Sequence, residues 1–117
     1  MDKISLLIGS SWLLTGLLSA ALAIPLVRGC IGGNGLYGVR FPESFASDEA
    51  WYAINHYGGK RMLVWSLPLI ATGLCCFLLP LEKNPSLTLA LGFAPLVFIC
   101  IPAYEAWRFA RAFKGNA

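Results

Sequence analysis

ISLLIGSSWLLTGLLSAALAIPLV, residues 4–27, runs for 24 positions without a charged side chain. A helix of that length reaches about 36 Å, against a bilayer hydrocarbon core of about 30 Å. Two further runs repeat the pattern: MLVWSLPLIATGLCCFLLPL (residues 62–81) and PSLTLALGFAPLVFICIPAY (residues 85–104), each of 20 residues. In lipid every backbone N–H and C=O needs a partner inside its own segment, so uncharged apolar runs of this length must be helical. The expected fold is therefore all-α: a polytopic membrane protein with three transmembrane helices in one membrane domain, residues 1–117.

The composition excludes several alternatives. Of 117 residues, 57% are hydrophobic and 13% charged, and the mean hydropathy is +0.66. A disordered chain or a nucleic-acid-coating protein needs far more charge, so no direct nucleic-acid partner is expected. The three runs fill over half the chain and leave too little polar sequence to cover them in water, so the bilayer itself is the first partner. The first run has a second reading, a secretory signal: Lys3 precedes it and Ala21-Leu22-Ala23 fits a small-x-small cleavage site. Asp2 cancels Lys3, however, and the run exceeds the usual apolar length of such signals. A retained helix is expected.

Charge placement sets an orientation. With three spans, the N-terminus and the turn 82–84 share one side, which carries Lys3 and Lys83. Loop 28–61 and the C-terminal tail share the other, which carries Arg28, Arg40, Lys60, Arg61, Arg108, Arg111 and Lys114. Two against seven is a positive-inside bias that places the N-terminus outside and the loop and C-terminus in the cytoplasm. Tyr37, Trp51, Tyr52, Tyr57, Trp65, Tyr104 and Trp107 all fall on that second side, where amphipathic rings favour the headgroup layer. Trp12 lies well inside the first span, so its indole N–H should face another helix.

Inside the spans, Ser11, Thr15, Ser19 and Ala23 recur every four residues beside Gly16 and Ala20, a stripe that lets helix backbones approach closely. It fits packing against this chain's own helices, or a homo-oligomer. Pro68, Pro95 and Pro102 can bend the later spans. No Asp, Glu, Lys or Arg lies within the spans, which removes the usual sign of a proton or ion path. Glu105, at the end of the third span, is expected to pair with Arg108 three residues on. Cys30, Cys75, Cys76 and Cys100 show no zinc-ligand spacing, so neither a metal, a cofactor nor disulfide stapling is expected.

The loop carries the information. Residues 29–38 include five glycines and cannot be regular helix. Ser47 then reads as an N-cap, Asp48 and Glu49 put negative charge in a first turn, and Gly58-Gly59 supply a stop or a bend. Ala50, Ile54 and Tyr57 follow i, i+4, i+7. A short amphipathic helix over about 47–58 is expected, lying at the cytoplasmic interface before the second span.

Asn34-x-x-Tyr37-Gly38-Val39-Arg40-x-Pro42, then Ser44, then Ser47-Asp48-Glu49-x-Trp51, then Asn55-His56-x-Gly58-Gly59-Lys60 resembles the signature of the SdpI (sporulation-delaying-protein immunity) family of bacterial integral membrane proteins. The resemblance covers roughly Asn34 to the end of the second span and, more loosely, the whole chain, which has the three-span module alone. It implies a bacterial inner-membrane protein; founding members are longer, protect the cell against a secreted peptide toxin and hold a winged-helix repressor at the membrane. The partner- or lipid-binding residues it implies are Asn34, Tyr37, Gly38, Arg40, Pro42, Ser47, Glu49, Trp51, Asn55, Gly58, Gly59 and Lys60.

From the residues alone, Arg40 could reach the carboxylate of Asp48 or Glu49 and, with Asn34 capping the glycine-rich turn, simply fix the loop. Alternatively, Arg40, Trp51, Asn55 and Lys60 present a surface to a cytoplasmic protein or a lipid headgroup, and the resemblance implies a cytoplasmic regulatory protein or a peptide toxin as the partner. At the level of function, an interaction, immunity or signalling protein competes with a small transporter or a subunit of an oligomeric transport complex. An enzyme is not expected: Asp48, Glu49 and His56 include no nucleophile paired with a base.

Overall fold

The computed structural model describes residues 2–113, so Lys114 of the charge count above and the C-terminus lie outside the described residues. Their regular structure is all helix, with no strand among them. Helix α1 is Lys3–Val27, α2 is Asp48–Cys76, α3 is Pro85–Phe93 and α4 is Val97–Ala112. Asp2 caps α1, its carboxylate accepting from Ser5 N at 2.6 Å. A Schellman turn ends the helix: Gly29 takes φ +69°, Gly29 N donates to Leu26 O, and Cys30 N donates to Pro25 O. α1 and the α3–α4 stretch Pro85–Ala112 are each long and apolar enough to cross a membrane.

Helix α2 is the centre of the molecule. It runs antiparallel to α1 along a seam of small residues: Gly9 against Gly73, Gly16 against Ile70, and Ala23 against Gly59. A Cβ on Gly73 would lie 2.5 Å from Leu13 N, and one on Gly59 would lie 3.1 Å from Ala23 O, so these backbones are in contact. The seam differs from the stripe expected from sequence. Ser11 and Thr15 face away from it and bond their own helix, at Leu7 O and Ser11 O, 2.7 Å each.

Three boundaries also differ. The separate interfacial helix over 47–58 is absent, because α2 continues through Gly58 and Gly59 as one helix of 29 residues. Two helical glycines cost about 1 kcal/mol each relative to alanine. Here each lets a neighbour approach: Gly58 sits under Val39, and Gly59 under Leu26 and Ala23. α2 leaves the helix at Cys76, so the apolar run 62–81 is helical for 15 of its positions. Pro80 and Leu81–Lys83 then form the turn into α3. In the third run, Pro95 introduces a 3-10 turn at Ala94–Leu96, and the helix carries on past Tyr104 to Ala112.

The molecule measures 56 × 23 × 20 Å. The loop packs at one end of the long axis. That end is a small knob made by the loop, the first turns of α2 and the end of α4. Its core is Ala50, Ile54 and Ala110, with Val39, Phe41, Phe109 and Phe113 packed against it. The apolar face of the helix expected over 47–58 is covered by protein: Ala50 and Ile54 are buried, and Tyr57 stacks on Phe109 at 4.3 Å between ring centroids.

Candidate functional site

The loop over 28–47 is built from its own side chains outward. Asn34 closes the glycine-rich turn: its Oδ1 accepts from Leu36 N at 2.9 Å and Tyr37 N at 2.7 Å, and its Nδ2 donates to Gly32 O and Tyr37 O. The Tyr37 hydroxyl donates to Leu22 O on α1. Arg40 Nη1 donates to Gly35 O, so the guanidinium is turned to the loop's own backbone. Pro42 opens a 3-10 turn, Pro42–Phe45. Ser47 caps α2, its Oγ accepting from Ala50 N at 3.0 Å.

Asn55 and Trp51 pin the loop to α2. Asn55 Oδ1 accepts from Val39 N at 2.6 Å, and its Nδ2 donates to Trp51 O at 2.9 Å and Val39 O at 3.3 Å. Trp51 Nε1 donates to Ile31 O at 2.8 Å. Both side chains are 2% exposed. They therefore shape any binding surface through the backbone they hold, not by touching a ligand. Gly38 must be glycine: its φ is +122°, and a Cβ there would lie 2.7 Å from Asn55 Oδ1. Gly58 and Gly59 are likewise buried under the loop and α1. Arg40, Pro42, Glu49 and Lys60 remain exposed.

Two further contacts tie the helices together at the knob end. His56 Nδ1 lies 2.8 Å from Val27 O, one of the carbonyls left over at the end of α1. Glu105 pairs with α2, not with Arg108 as the spacing suggested. Arg61 Nε donates to its Oε1 at 3.1 Å, Arg61 Nη2 lies 3.0 Å from Oε2, and Trp65 Nε1 donates to Oε1 at 2.9 Å. An i, i+3 partner offers one contact, whereas the facing helix offers a two-pronged guanidinium and an indole. All three groups sit near the ends of the apolar runs, and Trp65 is anchored to protein there.

Beneath the loop a cavity of about 480 Å³ opens between α2 and α4. Gly58, Met62 and Ser66 form one wall, Phe98, Pro102 and Ala106 the other, and Val39 and Arg40 stand at its loop end. Sequence reasoning found the loop motif but not the cavity, whose lining is spread over 88 positions from Ser19 to Ala106. The family motif thus supplies the lid and, in Gly58, the first residue of one wall of a single space.

Among the described residues no group of three or more His, Cys, Asp or Glu could hold a metal ion. Cys30, Cys75, Cys76 and Cys100 are free thiols. The family model described as the SdpI/YfhL protein family matches residues 30–103. Neither a curated protein nor a solved structure matches the chain.

Proposed function

The chain belongs to the SdpI/YfhL protein family, and on that footing we propose that it is an immunity-type membrane protein that signals or protects by binding a partner at its loop knob. Family membership and two helices of membrane-crossing length support the membrane. The proposed topology has three crossings, with α2 as the second, the N-terminus outside, and the knob and C-terminus in the cytoplasm of a bacterial inner membrane. The excess of Lys and Arg on the knob side supports that orientation.

One observation carries the interaction reading. The family motif spends Asn34, Trp51 and Asn55 on holding a loop rigidly, yet leaves Arg40 and Lys60 exposed. Rigid presentation of exposed cations suits recognition, because ordering costs are met before a partner arrives. A cytoplasmic regulatory protein or a peptide toxin is the proposed class of partner.

The test is cross-linking in native membranes followed by detergent co-purification. The Arg40→Ala, Lys60→Ala double variant should insert normally and lose a partner that the wild type captures. Recovery of the same proteins with both chains would overturn the reading. A reporter fused after Ala117 should report cytoplasm, and an extracellular signal would overturn the orientation.

A further inference from the structure

The cavity under the loop has the dimensions and chemistry of a site for a single lipid chain. We propose that it holds one acyl chain of an anionic phospholipid, whose phosphate rests on Arg40. Its volume, about 480 Å³, falls within the range of about 300–1,000 Å³ typical of ligand sites. On α2 the wall runs from Gly58 to Leu69, about 16 Å of helix, close to half of a hydrocarbon core of about 30 Å. Half the core is the depth that one leaflet's chains occupy. The opposite wall, Phe98 to Ala106 on α4, descends alongside it.

The walls are apolar or small; of the two serines that line them, Ser19 and Ser66, the second commits its hydroxyl to Leu63 O at 2.6 Å. A peptide segment entering here would bury backbone N–H and C=O groups that such walls leave unpaired, at a cost that hydrocarbon avoids. Charge stands only at the loop end. Arg40 is exposed there, and one of its donors is committed to Gly35 O; a guanidinium carries five. Its fork suits a phosphate. A long apolar slot under one cation is complementary to an amphiphile with an anionic head, which the surrounding solvent supplies in abundance.

The inference rests on the membrane placement proposed above and not on partner recruitment. The probe is a nanodisc containing equal parts phosphatidylcholine and phosphatidylglycerol, the latter carrying a photoactivatable acyl chain. Full-length protein should retain phosphatidylglycerol several-fold over phosphatidylcholine in native mass spectrometry, and cross-links should map to residues 62–69 and 98–106. Arg40→Gln should bring the two lipids near parity. Ala103→Phe, at an exposed lining position, should fill the slot and abolish retention. The wild-type cross-links decide the matter even if that variant folds poorly. Equal retention of the two lipids, cross-links elsewhere, or undiminished retention in a folded Ala103→Phe chain would each overturn this site alone. A chain that stays monodisperse without detergent would overturn the membrane placement as well.

Discussion

The indole of Trp12 on α1 donates to the carbonyl of Leu91 on α3 at 2.8 Å. In an unbroken helix that carbonyl would accept from the N–H of residue 95, but residue 95 is proline and has none. Trp12, itself 8% exposed, thus fills a vacancy that Pro95 creates, and each explains the other. An indole N–H deep in an apolar run and an orphaned carbonyl at the same depth are both costly alone; together they tie α3 to a bundle in which it buries no residue of its own.

Trp12→Phe should therefore cost about 1 kcal/mol of stability, the scale of an interhelical hydrogen bond in a membrane. In a Pro95→Ala background the helix supplies its own donor to Leu91, so the same substitution should cost much less. The double-mutant cycle, measured by denaturation in mixed micelles, checks this. Equal costs in both backgrounds would show that the indole packs there without serving the carbonyl.

Asn55→Ala should loosen the knob without releasing the chain from the membrane. The substitution orphans Val39 N and Val39 O, both part-buried in the loop, at about 1–3 kcal/mol. The expected result is rapid hydrogen exchange and proteolysis over the loop, with α1 and the α3–α4 stretch still protected. Asn55→Asp keeps the acceptor for Val39 N but loses both donors, so an intermediate effect is expected. A loop equally protected in all three chains would mean that Asn55 is not what holds it.

Much of this was legible in the residues, and the failures have a common cause. The span of α1, the Ser47 cap, the Asn34 turn and a protein partner for Trp12 follow from local chemistry: a run length, a capping side chain, an indole that cannot stay unpaired in lipid. Gly58-Gly59 misled because glycine reads as a break in isolation. Its other use, bringing two backbones together, depends on Val39 and Ala23, which lie far off in sequence. The same holds for Trp51 and Glu105, whose partners are 20 and 44 or 40 positions away. One distant signal was available: Gly9 and Ala23 are 14 residues apart, as are Gly59 and Gly73, the pattern of one antiparallel seam. The cavity left no signal of that kind.

At the opposite end, Asp2 gives a pH dependence. Desolvation pushes its carboxyl up, but the hydrogen bonds from Ser5 and from the Glu82 N–H outweigh it, so it lies below the ordinary 3.8. A depressed acid stabilises the fold above its unfolded value, and that contribution disappears as pH falls through the folded value. The clamp between the start of α1 and the Leu81–Lys83 turn should loosen on acidification below about pH 4, in line with an unperturbed Asp. Asp2→Asn should flatten the melting temperature in that window relative to wild type. Identical slopes for the two chains would remove Asp2 from the account.

The glycine seam makes opposite forecasts for two substitutions of the same kind. At Gly73 an added methyl would meet the backbone of α1, 2.5 Å from Leu13 N and 2.9 Å from Leu13 Cα, neither of which can swing aside. Gly73→Ala should force α1 and α2 apart and cost about 1–3 kcal/mol, the usual price of overpacking. At Gly92, in α3, an added methyl meets nothing within 4 Å. Gly92→Ala should leave the packing alone and raise helix stability by about 0.5–1 kcal/mol. Unfolding midpoints of the two variants in one detergent would separate them. Because both changes add one methyl group to a helical glycine, their difference isolates the close approach itself. A Gly73→Ala chain as stable as the Gly92→Ala chain would mean that α1 and α2 do not meet backbone to backbone.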